Sequence, residues 1–213
     1  MKSYSAYLFD MDGTLVDSEK LKGQALIQTC SFFGGEAVLE DYKAVMGKSW
    51  EEVASYFFEK AQISPAIEEF NSEFKPIYQD LLFHNLDTNP NVVKLLLQLK
   101  RKGKKIGVVS SAFAWMVNQV LSQLELTQFF DVVITKEDVT KHKPDPEAYL
   151  LALEKLALPA SELLIFEDSE SGLIAAQKAN CDSVAFQHEF NTKHDFSLAK
   201  QVISDFNEFW EIE

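Results

Sequence analysis

The chain has 213 residues, of which 46% are hydrophobic and 25% are charged. It is therefore long and apolar enough for one good-sized soluble domain, or for one domain with a smaller insert. The formal net charge of −13 argues against a nucleic-acid partner and against an anionic membrane surface.

The two cysteines and the apolar segments exclude further classes of protein. Cys30 and Cys181 lie far apart and match no metal-binding spacing. The amino terminus has no signal-peptide pattern, and no window approaches the ~20 apolar residues that a membrane span needs. We expect a cytoplasmic protein that is a monomer or a weak dimer and has no membrane partner.

Short apolar runs rich in branched side chains predict five strands. In chain order these are Ala6–Phe9, Ile106–Val109, Val132–Ile134, Leu163–Phe166 and Ser183–Phe186. Helical periodicity fills most of the intervals, and the helix that follows the third strand is predicted to begin with Asp145 as its N-cap. Strands that alternate with helices predict an α/β fold, in which a doubly wound parallel sheet carries helices on both faces.

One block of the chain does not alternate. From Asp17 to Leu86 the sequence contains helical segments and no convincing strand. The block lies between the first predicted strand and a helix predicted at Val92–Leu99. We therefore predict a small all-helical domain, residues 17–86, that is inserted into an α/β core formed by residues 1–16 and 87–213.

The first predicted strand ends in two aspartates, in the stretch AYLFDMDGTLVDSE. Residues i and i+2 of an extended chain point the same way, so Asp10 and Asp12 face one spot beyond the strand. Open parallel sheets bind ligands at this carboxyl end. Like charges placed together repel each other, which indicates a cation between them. An Asp-Gly turn with simply solvated carboxylates is the alternative.

Three other predicted strand ends carry groups suited to the same chemistry. These are Ser110 and Ser111 after the second strand, Lys143 after the third, and Glu167 and Asp168 after the fourth. Hydroxyls, amides and an ammonium can hold an anion, whereas carboxylates can hold a cation. Each group alone is equally consistent with a helix cap or a surface charge. Four such coincidences at strand ends favour a common site.

These four motifs, in this order and spacing, resemble the haloacid-dehalogenase-like phosphotransferase superfamily over nearly the whole chain. DMDGT matches the most specific motif of the superfamily, and the helical insert that follows is similar to its small helical cap. DGTLVDSE and EDSESG look most like the subgroup of β-phosphoglucomutase and many sugar-phosphate phosphatases.

The resemblance implies a role for each acidic residue. Asp10 would be the nucleophile that forms an aspartyl-phosphate, and Asp12 would protonate the leaving oxygen and then activate water. Mg²⁺ would bind the carboxylates of Asp10 and Asp168 and the backbone carbonyl of Asp12. Glu167 would be a direct or water-mediated ligand.

The resemblance also implies how the substrate is held. Ser110, Ser111 and Lys143 would bind the phosphoryl oxygens of a small phosphorylated metabolite. In the predicted cap, Lys48 and Ser49 of MGKSWEE lie where mutase-type relatives carry a phosphate-contacting loop. We expect them to contact the substrate.

Four positions depart from the mutase-type pattern. Lys22 replaces a histidine, Trp50 replaces an arginine, and Thr14 stands where valine is frequent. These changes favour a Mg²⁺-dependent phosphatase, with a sugar phosphate as the expected substrate, over a hexose-phosphate mutase. A non-catalytic binding module is the third hypothesis. Asn91 stands where a glycine is common, and the sequence alone does not explain this change.

Overall fold

The structure is a computed structural model that describes residues 4–210. In this range six strands form one sheet in the order β3-β2-β1-β4-β5-β6, and every neighbouring pair is parallel. The strands are β1 (Ala6–Phe9), β2 (Lys105–Val109), β3 (Val132–Ile134), β4 (Leu163–Glu167), β5 (Asp182–Phe186) and β6 (Gln201–Ile203). The sheet confirms the predicted α/β fold class.

β6 has no counterpart among the predicted strands. It lies at the edge of the sheet and pairs with β5 alone. Within it Ile203 is buried, whereas Val202 is 43% exposed. An edge strand of three residues with one buried side chain shows no apolar run, and so the sequence carried no signal for it.

Two compact units divide the chain, Asp17–Asp87 and the remainder. Helices of the remainder cover the sheet, and they are α5 (Val92–Arg101), α6 (Ala114–Gln123), α7 (Glu147–Leu156), α8 (Glu170–Lys178) and α9 (Asn207–Trp210). The predicted N-cap of α7 is wrong by one residue, because Pro146 occupies that position. The Asp145 carboxylate still accepts a hydrogen bond from the Glu147 N–H, at 3.1 Å.

The helical unit Asp17–Asp87 contains α1 (Glu19–Phe32), α2 (Leu39–Lys43), α3 (Trp50–Ala61) and α4 (Ile67–Asn85). Helices α1 and α4 pack against each other. Buried aromatic side chains fill the unit, among them Phe57, Phe70, Phe74 and Tyr78. Across residues 4–210 no helix combines the length and the apolar character needed to cross a membrane.

The central strand β1 is buried on both faces. On one face Phe9 stacks on Phe166 with ring centroids 4.7 Å apart. On the other face Leu8 belongs to an apolar cluster that includes Ile165 and residues of α7. Because both faces are packed, the point at which β1 leaves the sheet is fixed, and Asp10 is the next residue.

Asn91 has a conformational role that the structure makes clear. It precedes α5 with φ +63°, in the left-handed region where glycine is favoured and asparagine is tolerated. Its side-chain amide also donates to both carboxylate oxygens of Asp205, at 2.9 Å each. Asparagine therefore meets the backbone requirement that glycine meets and adds a side-chain anchor.

Candidate active site

The predicted strand ends meet at one edge of the sheet. The Asp10 N–H donates to the Phe166 carbonyl at 2.9 Å, and the Ser110 N–H donates to the Ile134 carbonyl at the same distance. Each bond continues the strand pairing one residue further. Since β2, β1 and β4 are neighbours, Ser110, Asp10 and Glu167 follow one another along this edge.

A buried ammonium joins three of these strand ends. Lys143 Nζ donates to Asp10 Oδ1 at 2.5 Å, to Glu167 Oε1 at 2.5 Å and to the Val109 carbonyl at 3.1 Å. Its side chain is only 6% exposed. Three acceptors match the three N–H groups of an ammonium. The sequence placed Lys143 at this edge, and the structure shows that it is held between two carboxylates.

Glu167 is saturated with donors from the protein itself. Oε1 accepts from the Tyr149 hydroxyl at 2.8 Å as well as from Lys143. Oε2 accepts from the N–H groups of Asp168 and Ser169 and from the Ser169 hydroxyl, at 2.9–3.1 Å. This geometry favours a role for Glu167 in holding Lys143 over the predicted role as a metal ligand.

Burial acts on all three charged groups, with different outcomes. It raises the pKa of Asp10 well above its ordinary value; Lys143 opposes this shift, and the neighbouring carboxylates add to it. Burial also favours a higher pKa for Glu167, but Lys143 and the hydrogen bonds outweigh it, and the pKa of Glu167 is lowered overall. Burial favours a lower pKa for Lys143, but the carboxylates of Asp10 and Glu167 outweigh it, and the pKa of Lys143 is raised overall. Asp10 is thus the acidic group whose negative charge is least well compensated by its surroundings.

Asp168 packs against the loop that contains the aspartate pair. A Cβ atom added to Gly13, whose φ is +77°, would lie 2.1 Å from Asp168 Oδ2. Glycine is therefore required there by conformation and by space. The same Oδ2 lies 2.9 Å from Nε2 of His188, two residues beyond β5. His188 belongs to none of the four strand-end motifs.

The loop after β1 is fixed by backbone bonds. The Gly13 N–H donates to the Val16 carbonyl, and the buried Asn89 amide donates to the carbonyls of Gly13 and Thr14 at 2.8 Å each. The Thr14 hydroxyl is buried and makes no hydrogen bond within the described residues. Asp12 lies in this loop and is partly exposed.

The two serines differ in accessibility. Ser110 is buried and Ser111 is exposed. Ser110 Oγ accepts from the Ala112 N–H at 3.0 Å. Because its oxygen is occupied as an acceptor, the hydroxyl proton of Ser110 points elsewhere and can be donated to an anion.

The two predicted cap residues lie in the helical unit. Lys48 and Ser49 are both exposed. Ser49 is the N-cap of α3, and its hydroxyl exchanges hydrogen bonds with Glu52 in a capping box. The next residue, Trp50, donates from its indole to Asn71 at 2.8 Å. Substrate contact by Lys48 or Ser49 stays a prediction.

The donor set suits a hard divalent cation. Among residues 4–210 no three His, Cys, Asp or Glu side chains form a ready-made metal cluster. The ligand set implied by the resemblance does not need one, because a backbone carbonyl of Asp12 completes the two carboxylates. Burial and the neighbouring carboxylates of Glu167 and Asp168 raise the pKa of Asp10, a cation at this point would compensate its charge, and oxygen ligands of this kind suit Mg²⁺. The residues present fit the ion.

The fold is α/β, and its charged side chains form a candidate site at the carboxyl ends of parallel strands, where open sheets bind ligands. The family model described as haloacid dehalogenase-like hydrolase matches residues 7–186. The chain belongs to this family, and it is an enzyme of the hydrolase class.

Individual relatives show the same relationship. The chain is 32% identical to a phosphorylated carbohydrates phosphatase of Thermotoga maritima, over 84% of this chain and 83% of the relative. It is 31% identical to a pyrophosphatase of Bacillus mycoides, over 84% and 81% of the two chains. A β-phosphoglucomutase structure from Clostridium difficile matches with a TM-score of 0.80 at 24% identity, covering 98% and 95% of the chains. This last likeness shows the fold alone.

Proposed function

We propose that the protein is a Mg²⁺-dependent phosphatase of small phosphorylated metabolites, with a sugar phosphate as its substrate, and that it works through an aspartyl-phosphate at Asp10. The observation that carries the proposal is the buried Lys143 ammonium, 2.5 Å from both Asp10 and Glu167 at the carboxyl end of β1. The 32% identical relative that acts on phosphorylated carbohydrates supports this substrate class.

In the first step a carboxylate oxygen of Asp10 attacks phosphorus, and the bond from phosphorus to the leaving oxygen breaks. Asp12 gives a proton to that oxygen, which departs as an alcohol. Lys143 and the Ser110 hydroxyl hold the phosphoryl oxygens as charge builds on them. Lys143 is suited to this because Glu167 fixes its position and keeps it charged.

In the second step Asp12 takes a proton from water, and the resulting nucleophile attacks the phosphorus of the aspartyl-phosphate. The bond from phosphorus to Asp10 breaks, which releases phosphate and restores the carboxylate. Mg²⁺, held by the Asp10 and Asp168 carboxylates and the Asp12 carbonyl, would neutralise the repulsion between the anionic nucleophile and the anionic phosphate.

Removal of the metal is expected to abolish activity. Phosphate release from a sugar phosphate should fall to background in excess chelator and return when Mg²⁺ is added. Ca²⁺ should not restore it, because its longer bonds and higher coordination number misalign the attack. Full activity in excess chelator, with the chelator shown to strip a known magnesium phosphatase in parallel, would rule out the proposed metal site.

A hexose-phosphate mutase is the competing function for the same aspartyl-phosphate. A mutase must keep water from this intermediate until the sugar returns in its second orientation. Lys22 stands where mutase-type relatives carry a histidine, and here it forms an ion pair with the buried Glu19 at 3.1 Å. The Tyr42 hydroxyl also donates to Glu19. Because the Lys22 side chain is engaged in this network, it does not take the place of the histidine in a mutase, which favours the phosphatase.

Product analysis separates the two functions. With β-glucose 1-phosphate and a trace of glucose 1,6-bisphosphate, we expect steady release of phosphate and no accumulation of glucose 6-phosphate. A panel of other phosphorylated metabolites, assayed in parallel, would rank the substrates. Glucose 6-phosphate that forms much faster than free phosphate would overturn the phosphatase assignment in favour of the mutase.

A further inference from the structure

We propose that His188 is a positioning residue that holds the Asp168 carboxylate through a hydrogen bond from Nε2 and thereby raises the affinity of the site for its divalent cation. The inference rests on the proposed function, since it takes Asp168 as a metal ligand. His188 lies beyond β5, outside the four strand ends that carry the predicted site residues.

Two hydrogen bonds of the His188 ring indicate its tautomer. The Phe190 N–H donates to His188 Nδ1 at 3.2 Å, so Nδ1 carries a lone pair. The ring proton therefore lies on Nε2. Nε2 is 2.9 Å from Asp168 Oδ2, and it donates to that oxygen. With its proton on Nε2, the ring acts on the cation through Asp168 and not as a ligand of its own.

The loop that carries His188 is tied to Asp168 at a second point. The side chain of Asn191 is fully buried. Its amide donates to the Asp168 and Phe186 carbonyls at 2.9 Å each, and its Oδ1 accepts from the His188 N–H at 2.8 Å. Backbone and side chain of Asp168 are thus both bound to the segment after β5.

Close packing around Asp168 restricts the orientation of its carboxylate. A Cβ atom on Gly13 would lie 2.1 Å from Asp168 Oδ2 and 2.9 Å from His188 Nε2. The three groups are therefore packed at contact distance. With Oδ2 held there, the plane of the carboxylate and the direction of its second oxygen are set. Partners that orient a ligand in this way typically change metal affinity by about 10–100-fold when they are removed.

The test is direct titration of the full chain with Mn²⁺, followed by electron paramagnetic resonance and without substrate. His188→Leu should raise the dissociation constant of the site about tenfold or more. His188→Gln, whose amide can donate in place of Nε2, should restore it to within about threefold. Glu189→Gln changes the exposed neighbour and should bind Mn²⁺ as the wild type does.

Asp168→Asn identifies the site to which these values refer. If Asp168→Asn loses the Mn²⁺ site and His188→Leu binds as tightly as the wild type, the inference is wrong and the metal site stands. If Asp168→Asn binds Mn²⁺ like the wild type, the proposed metal site itself fails, and the inference fails with it. Should His188→Leu not fold, His188→Asn replaces it, because its shorter amide does not reach Asp168; affinity equal to that of His188→Gln would overturn the inference.

Discussion

Asp10→Asn is expected to abolish turnover while the protein remains folded. The amide can neither attack phosphorus nor bring a full negative charge to the cation. Loss of an enzyme's nucleophile typically lowers kcat by roughly 10⁴-fold or more. Phosphate release from the best substrate of the panel, measured with purified protein, gives the magnitude.

The fold should survive because the change relieves an unfavourable burial. Burial and the neighbouring carboxylates already disfavour a charged Asp10, as its raised pKa shows. In the variant, Lys143 keeps its bonds to Glu167 and to the Val109 carbonyl. We expect a melting temperature equal to or above that of the wild type. Asp145→Asn makes the same chemical change two residues from Lys143 and should leave activity intact.

An Asp10→Asn variant with activity within about tenfold of the wild type would contradict the nucleophile assignment. Contamination by the host's own phosphatases is excluded if the residual activity has the Michaelis constant of the wild type and the same specific activity across independent purifications. If Asp10→Asn proves to be unfolded, its loss of activity is uninformative, and Asp10→Glu is tested in its place. It keeps the charge but moves the oxygen by one methylene, and it should be folded and nearly inactive.

The position of the candidate site could be predicted from the sequence, because the order of strands and helices along the chain determines it. Alternation of strands and helices implies parallel strands, and the carboxyl ends of parallel strands share one edge of the sheet. Asp10, Ser110 and Asp168 follow apolar runs that are easily recognised. The role of Glu167 was harder to foresee, because saturation of a carboxylate by donors depends on contacts that no spacing encodes.

Two contributors to the site were missed for different reasons. Tyr149 has the spacing of a core residue of α7, and only the fold brings its hydroxyl to Glu167. The sequence does contain a signal for His188, because this residue lies only two positions after the end of the fifth predicted strand. Its partner Asp168 is 20 residues away in the chain, and no metal-binding spacing of histidines and cysteines connects the two.

Gly172→Ala is expected to cause a large loss of stability, although it adds only one methyl group. Gly172 lies in the first turn of α8, where alanine would ordinarily stabilise the helix by ~1 kcal/mol. Here the added Cβ would lie 1.9 Å from the carboxyl carbon and from Oε1 of Glu167, and 2.2 Å from Oε2. The carboxylate cannot remain in place beside a methyl group at these distances.

Displacement of Glu167 removes the acceptor of two buried donors, Lys143 and Tyr149. Breaking a buried ion pair in this way typically costs about 3–5 kcal/mol, which outweighs the gain in helix propensity. Urea denaturation should show this loss in the free energy of unfolding. Gly103→Ala is the control, because φ at Gly103 is +69° and its surroundings are open. It adds backbone strain without a clash, and its expected cost is only ~1–2 kcal/mol. Equal losses in the two variants would mean that the methyl group at position 172 costs no more than backbone strain does at position 103, and that the Glu167 carboxylate is not held against α8.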